Sequence, residues 1–342
     1  MNEFSTDFLL GAYGVIERPR RFLLELFFPD EQTFDTEDVL FDKVDRARRL
    51  APFVSPLVAG KPMKSQGYET KSFRPAYVKP KHVVEPGKAL KRRAGEALTG
   101  EMDPRDRYEA QVLANLELED DQIARREEWM ASQILKTGKV IVEGEDFPKQ
   151  EVDFGRNAAH SKALTSTARW GESGVSPFAD LKGWGSTVAA NSGFTPRMVI
   201  LDPLAADLVM EDENLQKIMD NRRQSSGMLE FLGELTGAPG EEVAYLGAAG
   251  PFEFWQYQQL YTDEDGNVSK MMTDYSVIMG SPAGAQGTRL YGAIQDTKAL
   301  RPLARFPKYW ETDDPSVGFT MTQSAPLPVL GWVDATLFAT VR

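Results

Sequence analysis

One long helix is the strongest constraint that this sequence places on its fold. The stretch MDPRDRYEAQVLANLELEDDQIARREEWMASQILKTGKV has Asp103 in a capping position, Pro104 at the first helical position and Gly138 as a C-terminal stop. At about 1.5 Å per residue, such a helix is about 50 Å long. We therefore predict a single helix over residues 104–137 against which other parts of the chain must pack.

The residue pattern along this helix predicts one packed side and one solvated side. The apolar stripe consists of Tyr108, Val112, Leu116, Ile123, Met130 and Ile134. Charged residues fall between them, among which are Glu119, Asp120, Arg125 and Glu128. We predict that the stripe is buried and that these charged side chains face water.

The strip SFRPAYVKPKHVVEP, Ser72–Pro86, cannot be helical. Its three prolines each remove a backbone donor and favour extended backbone at the preceding residue. From Val54 to Pro104 the sequence is rich in Pro, Gly, Lys and Arg and shows no helical period before Ala89. We predict a long β-hairpin or an extended loop here, ordered by aromatic residues such as Tyr77.

The first fifty residues contain apolar clusters that are too short to form an independent domain. We predict that they form an arm that packs on another part of the structure. The run FLLELFF, Phe22–Phe28, is expected in the core of its own chain, with an anchor on a neighbouring chain as the alternative.

The remaining pattern predicts an α+β fold. KVIVEGEDFPKQEVDFG indicates a hairpin, FADLKGWGSTVAANSGF a helix ended by Gly193, and PLAADLVMEDENLQKIMD a helix capped by Asp202 after the strand RMVILD. FEFWQYQQLYTDEDGNVSKMMTDYSVIMG is predicted to form two antiparallel strands that turn at Asp265-Gly266. Strands follow at TRLYGAIQD, GFTMTQSAPLPVL and ATLFATVR.

Composition limits the classes of function. The chain has 342 residues, enough for about two domains, and a formal net charge of -12, which argues against wrapping nucleic acid. With no cysteine, disulfides, thiolate metal sites and a cysteine nucleophile are excluded. The sequence MNEFSTDFLLGAYG lacks a secretory pattern, so we expect a soluble protein that is cytoplasmic when made.

No motif of an enzyme or a metal site stands out. The acidic turn DEDGN, Asp263–Asn267, lacks the full ligand set of a calcium loop and is predicted to be a hairpin turn. His82 and His160 have no second ligand at metal-binding spacing and are expected at the surface or an interface. Nucleophile-elbow, phosphate-loop and dinucleotide motifs are absent from the sequence. We predict no catalytic residue, no cofactor and no metal.

Several strings together resemble one family, the major capsid protein E of lambda-like tailed bacteriophages. In chain order they are FVSPLVAGKPMKSQG, SFRPAYVKPKHVVEP, GEDFPKQEVDFGR, TRLYGAIQD and RFPKYWETDDPSVGFTMTQSAPL. The resemblance implies the Hong Kong 97 capsid fold, with an N-terminal arm, an extended β loop, a long spine helix in a peripheral domain and a mixed α/β axial domain. The implied boundaries are 1–53 for the arm, 54–103 for the extended loop, 104–159 for the peripheral domain, 160–290 for the axial domain and 291–342 for strands that return to the peripheral domain.

The resemblance also implies the function. It predicts a structural subunit of the virion that forms hexamers and pentamers of an icosahedral shell around double-stranded DNA, without reading the DNA sequence. The implied partners are further copies of the chain, a scaffolding protein, a portal protein and a head decoration protein, with assembly in the host cytoplasm.

We expect contacts between subunits at six residues and keep two other functions open. The predicted contacts are Arg74, Tyr77, Lys79 and Lys81 in the extended loop, and Phe22 and Phe27 in the arm. In this hypothesis the strip from Ser72 to Pro86 lies on a neighbouring subunit, where its prolines limit the entropy lost on docking. The alternatives are a cellular nanocompartment shell of the same fold and an acidic, carboxylate-dependent hydrolase.

Overall fold

The computed structural model describes most of the chain. The described residues are 9–11, 21–44, 68–92, 102–144, 147–212, 242–263, 265–299 and 302–342, together with residues 51, 53 and 215. Their helices are α1 (Phe22–Phe27), α2 (Pro86–Ala89), α3 (Pro104–Thr137), α4 (Pro177–Ser192), α5 (Pro203–Met210) and α6 (Pro282–Ala285). Among these residues, no helix has both the length and the apolar character needed to cross a membrane.

Helix α3, here called the spine helix, has the predicted bounds and caps. The Asp103 carboxylate accepts the backbone N–H of Asp106 at 2.8 Å, and Gly138 has the left-handed φ of 74° that ends the helix. The guanidinium of Arg156 donates to the carbonyls of Ile134 and Lys136, each at 3.0 Å. A cation at this end also interacts favourably with the helix dipole.

The prediction of two sides to the spine helix is right for the apolar stripe and wrong for three charged residues. The stripe is buried, apart from a half-buried Tyr108, and Arg125 is exposed as expected. In contrast, Glu119, Asp120 and Glu128 are buried, with 0%, 1% and 0% of their surfaces exposed. Each has partners from distant parts of the chain, and only those partners make such burial tolerable.

The described strands belong to six sheets. The first nine are β1 (Asp30–Thr33), β2 (Val39–Val44), β3 (Tyr68–Phe73), β4 (Lys81–Val84), β5 (Lys139–Gly144), β6 (Phe147–Asp153), β7 (Ser161–Ala163), β8 (Met198–Leu201) and β9 (Val243–Ala249). The others are β10 (Phe252–Tyr257), β11 (Leu260–Thr262), β12 (Val268–Lys270), β13 (Ser276–Gly280), β14 (Gly287–Tyr291), β15 (Phe306–Asp313), β16 (Ser316–Gln323), β17 (Pro326–Leu330) and β18 (Thr336–Thr340).

The largest sheet has six strands in the order β7-β18-β13-β8-β10-β9. Strand β8 runs parallel to β10 and antiparallel to β13, with Ile200 opposite both Trp255 and Ile278. All four residues of β8 are buried, as expected of a central strand covered on both faces. Helix α4 ends at Gly193 and helix α5 is capped by Asp202, both as predicted. The sequence predicted that α5 continues to residue 220, but beyond Asp212 only Leu215 of that stretch is among the described residues.

Three smaller sheets surround the spine helix. They have the orders β1-β14-β17 and β15-β16-β4, with the predicted ribbon β5-β6 as the third. A further two-stranded ribbon pairs β2 with β3, from Val39 opposite Phe73 to Val44 opposite Tyr68. This β2–β3 ribbon joins a part of the chain assigned by prediction to the arm with a part assigned to the extended loop.

The hairpin predicted around Asp265-Gly266 exists but is much shorter than expected. Only β11 and β12 pair across this turn, with Leu260 opposite Lys270. The flanking strands β10 and β13 lie in the six-stranded sheet, where each pairs with β8. Long-range pairing with a buried central strand outweighs continuation of a local hairpin.

The sheets also cross the predicted domain boundaries. Strand β18 pairs with β13 and β7 in the six-stranded sheet, although residues 291–342 were expected in the peripheral domain. Strand β14 pairs with β1 and β17, although residues up to 290 were expected in the axial domain. The division into arm, loop, peripheral and axial domains stays a prediction.

The prediction that FLLELFF packs in its own chain is confirmed. Phe22, Leu23, Leu24, Phe27 and Phe28 are all buried in a core cluster shared with the spine helix and with strands β8, β10 and β17. A second cluster fills the space between the six-stranded sheet and helices α4 and α5. Residues 22–28 are therefore part of the central packing.

A substitution at Gly287 tests how closely α1 packs on β14. A Cβ atom at this position would overlap the carbonyl oxygen of Phe27, which is backbone and cannot rotate away. We expect Gly287→Ala to lower the free energy of unfolding by about 3 kcal/mol. The control is Gly183→Ala in α4, where no atom lies within 4 Å and a gain of about 0.5–1 kcal/mol is expected. Equal urea midpoints for the two variants would contradict the close contact.

Candidate functional site: buried carboxylates and exposed assembly surfaces

Four carboxylates on the spine helix are buried. Glu119, Asp120, Glu127 and Glu128 expose at most 1% of their surfaces. The two pairs are eight residues apart, a spacing that places both on the same side of a helix. Because a buried carboxylate without partners is very costly, the contacts of these four groups determine what is fixed to the helix.

Asp120 and Glu127 bind two arginines from opposite ends of the chain. The Arg305 guanidinium lies 2.7 Å from Glu127 and 3.2 Å from Asp120, and Arg21 lies 3.0 Å from Glu127. Burial alone raises the pKa of Glu127, but the charges of Arg305 and Arg21 outweigh it and hold the pKa below its ordinary value. Glu127 is therefore ionised and joins the arm to the loop before β15.

Glu128 holds the start of α1 without any arginine. Its carboxylate accepts the backbone N–H groups of Leu23 at 2.8 Å and Leu24 at 2.9 Å, and the hydroxyl of Tyr257 at 2.8 Å. Burial raises the pKa of Glu128 to about 7, and the three hydrogen bonds only partly offset that burial. One carboxylate thus joins the arm, the spine helix and strand β10.

Glu119 joins the spine helix to two further strands. It accepts the hydroxyls of Thr320 and Thr322 in β16, both at 2.7 Å, and lies 3.3 Å from Nδ1 of His82 in β4. Burial raises the pKa of Glu119. His82, which was expected at the surface or an interface, keeps 26% of its side chain exposed and contacts this buried carboxylate.

The prediction that His160 lies at the surface or an interface is wrong. Its side chain is fully buried, with Nδ1 2.9 Å from the Thr336 carbonyl and Nε2 2.8 Å from the Asn191 amide. These contacts join α4 to the start of β18. The acidic turn at Asp263 agrees with the turn interpretation, because its carboxylate accepts the N–H groups of Asp265 and Asn267. No set of three or more metal-ligating side chains is grouped within the described residues.

Two of the predicted contacts between subunits are not available. Phe22 and Phe27 are 2% and 0% exposed within their own chain. Phe22 packs against the rings of Trp255 and Tyr257, with centroids 5.6 and 5.8 Å apart. A side chain enclosed in this way has no surface left to contact a neighbour, so the prediction for these two residues is corrected.

Parts of the strip from Ser72 to Pro86 pack on their own chain, and its predicted contact with a neighbouring subunit stays a prediction. Strand β4 pairs with β16, and Val78 forms an isolated bridge with Ser324. The Tyr77 hydroxyl donates to the Ala293 carbonyl at 2.7 Å and accepts the Gln295 N–H at 2.9 Å.

The predicted basic contacts of this strip keep some exposed surface. Arg74 binds Glu37 at 3.1 Å and Asp38 at 3.4 Å, yet 55% of its side chain is exposed. Lys79 lies 4.6 Å from the centre of the Tyr77 ring, and Lys81 lies 4.1 Å from that of Phe319. Both lysines are exposed, so a second chain could still reach these three residues.

Two apolar surfaces were not singled out from the sequence. Phe53 is fully exposed and lies in the chain segment that connects the strands of the β2–β3 ribbon. Trp129 lines a groove of about 810 Å³ between the spine helix, the β5–β6 ribbon and residues 76–79. The apolar run APFVSPLVAG, 51–60, could have indicated the first surface, because nothing in the run is charged.

Arg305 tests the buried charge network. Arg305→Met should lower the free energy of unfolding by about 3–5 kcal/mol, because Asp120 loses its arginine and Glu127 keeps only Arg21. Arg125→Met is the control, since its ion pair with Asp121 lies at the surface and should contribute about 0.5 kcal/mol. Urea unfolding of both variants at pH 8 measures the difference. Similar losses would show that the buried pairs are not what holds the arm and the loop to the helix.

Glu128 gives the stability a defined pH dependence. Its pKa is about 7 when folded and 4.5 when exposed, so its contribution is fully present below pH 4.5 and is lost as the pH rises through 7. At about 1.4 kcal/mol per unit, the full change is about 3 kcal/mol. When the pH is lowered from 8 to 5, the free energy of unfolding of the wild type, measured by urea titration, should rise by most of this 3 kcal/mol relative to that of Glu128→Gln. The exposed Glu117→Gln should follow the wild type, and a Glu128→Gln curve parallel to the wild type would contradict the assignment.

Comparison with known proteins agrees with this architecture. The family model for phage major capsid protein E matches residues 5–341. Over 96% of each chain, the sequence is 35% identical to the major capsid protein of Enterobacteria phage P21 and 32% identical to that of Escherichia phage lambda. A crystal structure described as a prophage capsid protein of E. coli CFT073 has a TM-score of 0.80 at 23% identity and 99% coverage of both chains.

These similarities confirm the Hong Kong 97-type fold and decide between the functions left open. Major capsid proteins are structural components of the virion that assemble in many copies into a shell, so the hydrolase alternative is wrong. The buried carboxylates of the spine helix therefore serve architecture and not catalysis. With matches that span nearly its whole length, the chain belongs to the phage major capsid protein E family.

Proposed function

We propose that this capsid protein forms hexamers and pentamers of an icosahedral shell that encloses double-stranded DNA. The observation that carries the proposal is the family match over residues 5–341. The buried carboxylates support it, because they fix the arm, β4, β10 and β16 to one helix and give the subunit a defined shape. Closed symmetric assembly requires that each copy presents the same surfaces in the same relative positions.

We assign the contacts between copies to those predicted contact residues that are exposed and to the segment connecting the strands of the β2–β3 ribbon. Arg74, Lys79 and Lys81 carry positive charge at the surface of a chain whose net charge is -12, so they suit acidic patches on a neighbour. Tyr77 adds a half-buried ring beside Lys79. Phe53 supplies a fully exposed aromatic side chain of the kind that often anchors protein interfaces.

We also propose a division of the chain into domains that follows the pairing of its strands. The spine helix with the β5–β6 ribbon and the sheet β15-β16-β4 would form the peripheral domain. The six-stranded sheet with α4 and α5 would form the axial domain at the centre of each capsomer, with β18 included in it. The β2–β3 ribbon is the base of the extended loop, so that loop would begin near Val39 and not at Val54.

The charge of the chain suits a container for DNA. A net charge of -12 does not favour tight binding to phosphates, so packaged DNA would be enclosed without being gripped or read in sequence. We further propose that assembly takes place in the host cytoplasm with a scaffolding protein, that a portal protein occupies one vertex, and that a head decoration protein reinforces the shell. The family membership supports these partners.

Electron microscopy with sedimentation tests this function. We expect closed shells with hexameric and pentameric units when the chain is expressed with its scaffolding protein, and irregular or fewer shells when it is expressed alone. A stable monomer under both conditions would overturn the proposed assembly. Arg305→Met provides an internal check, because loss of the fixed subunit shape should abolish shells, whereas Arg125→Met should leave them intact.

A further inference from the structure

The buried side chains of Glu128, Tyr257 and Gln259, here called the carboxyl relay, hold more acceptors than their own protons can satisfy. The Tyr257 hydroxyl oxygen lies 2.8 Å from Oε1 of Glu128 and 2.6 Å from Oε1 of Gln259, and all three side chains are buried. A hydroxyl group has one proton, so Tyr257 donates to only one of these two oxygens at a time. If Glu128 is ionised, the other short contact joins two oxygens with no hydrogen between them, which is costly in a buried place.

A proton on Glu128 satisfies both contacts. The neutral carboxyl group donates to the Tyr257 oxygen, and Tyr257 in turn donates to Gln259. The N–H groups of Leu23 and Leu24 keep the carboxyl oxygens as acceptors. Burial and the nearby Glu128 raise the pKa of Tyr257, so the hydroxyl keeps its own proton in both states.

The charges around the carboxyl relay do not oppose the added proton. The charged groups on the surrounding elements are Arg21 and Glu25 of the arm, Glu127 and Lys136 of the spine helix, and Glu242 before β9. Glu25 raises the pKa of Glu128 in addition to the larger effect of burial. Arg21 is paired with Glu127 at 3.0 Å, and Lys136 donates to a backbone carbonyl at 2.9 Å. Both cations are therefore engaged by other partners.

The carboxyl relay belongs to a ring of contacts that begins and ends on the spine helix. From Glu128 the ring runs through Tyr257, at the end of β10, to Gln259, whose carbonyl accepts the N–H of Met271 at 2.9 Å. The Met271 carbonyl accepts the hydroxyl of Ser132 at 2.5 Å, which closes the ring. Glu128 and Ser132 are four residues apart and lie on one face of the helix. The state of the relay therefore affects how firmly β10 and the residues after it are held on the spine helix.

We propose that the carboxyl relay is a proton switch that couples β10, and through it the six-stranded sheet, to the spine helix. With the proton present, hydrogen bonds run from Glu128 to Tyr257 and from Tyr257 to Gln259, and the coupling is tight. When the proton leaves to solvent, Tyr257 turns to donate to Glu128, its bond to Gln259 is lost and the coupling loosens. Because the pKa of Glu128 is about 7, the change falls in the neutral range. The switch belongs to the folded subunit and does not depend on the proposed assembly.

The competing arrangement has the Gln259 amide turned over. Its nitrogen then donates to Tyr257, and Tyr257 donates to an ionised Glu128, so that every contact is satisfied without an added proton. The two arrangements give Gln259 opposite roles. In the switch it is an acceptor that favours the neutral carboxyl group, whereas in the turned arrangement it is a donor that favours the carboxylate.

Infrared spectroscopy distinguishes the two arrangements, because the C=O stretch of a neutral carboxylic acid is separate from carboxylate bands. The Glu128 band is obtained as the difference between the spectra of the wild type and Glu128→Gln, and is followed from pH 5 to pH 9. We expect the band to disappear with a midpoint at about 7. In Gln259→Met, compared with the double variant Glu128→Gln, Gln259→Met, the midpoint should fall by about one pH unit, the effect of one hydrogen bond to the neutral form. Gln258→Met, at the exposed neighbouring position, is the control and should keep the wild-type midpoint.

Three results of this measurement would overturn the switch. A midpoint that rises in Gln259→Met would establish the turned amide. An unchanged midpoint would show that Gln259 takes no part. A wild-type spectrum without the Glu128 band at pH 5 would show that the carboxyl group carries no proton.

Hydrogen exchange measures the coupling itself and needs no change at Gln259. After correction for intrinsic rates, the amides of Phe252–Tyr257 in the wild type should exchange about fivefold faster at pH 8 than at pH 6, as expected for loss of one hydrogen bond. Glu128→Gln should keep the slow rate at both pH values, because its amide donates to Tyr257 as the neutral carboxyl group does. The exposed Glu117→Gln is the matched control and should behave like the wild type. Equal corrected rates at the two pH values in the wild type would show that the proton does not control this strand, and the proposal would fail.

Discussion

The rest of the structure depends on the pairing of Asp120 and Glu127 with Arg21 and Arg305. Two carboxylates and two guanidinium groups lie within the packed interior, where each alone would be very costly. Such a set stabilises only the arrangement in which all four groups meet. Hydrophobic residues of similar volume would pack as well in several arrangements, but this set specifies one position for the arm and one for the loop before β15.

Glu128 and Glu119 also fix distant parts of the chain to the spine helix, but their partners are not arginines. Glu128 uses two backbone N–H groups and a tyrosine hydroxyl, and Glu119 uses two threonine hydroxyls and a histidine. Directional hydrogen bonds to buried carboxylates fix geometry more strictly than apolar contacts do. The spine helix is thereby linked to the strands on both of its sides, as a subunit with reproducible contact surfaces requires.

Local features of the fold could be predicted from the sequence because their causes are local. Asp103 and Gly138 determine the ends of the spine helix through contacts within four residues. The burial of Asp120 and Glu127 depends on arginines that are 185 and 106 residues away, which periodicity cannot show. A signal was nevertheless present, since Leu116, Asp120, Ile123, Glu127 and Met130 follow one heptad stripe. The candidate contact residues were predicted less well, because exposure of Lys79 and burial of Phe27 are both decided by long-range packing.

The position of β18 has a consequence for synthesis of the protein. This strand is the last in chain order, yet it lies inside the six-stranded sheet, between β7 and β13. The sheet cannot be completed until residue 340 has left the ribosome, however early the preceding segments fold. A chain that has not yet exposed residues 336–340 therefore lacks the strand between β7 and β13.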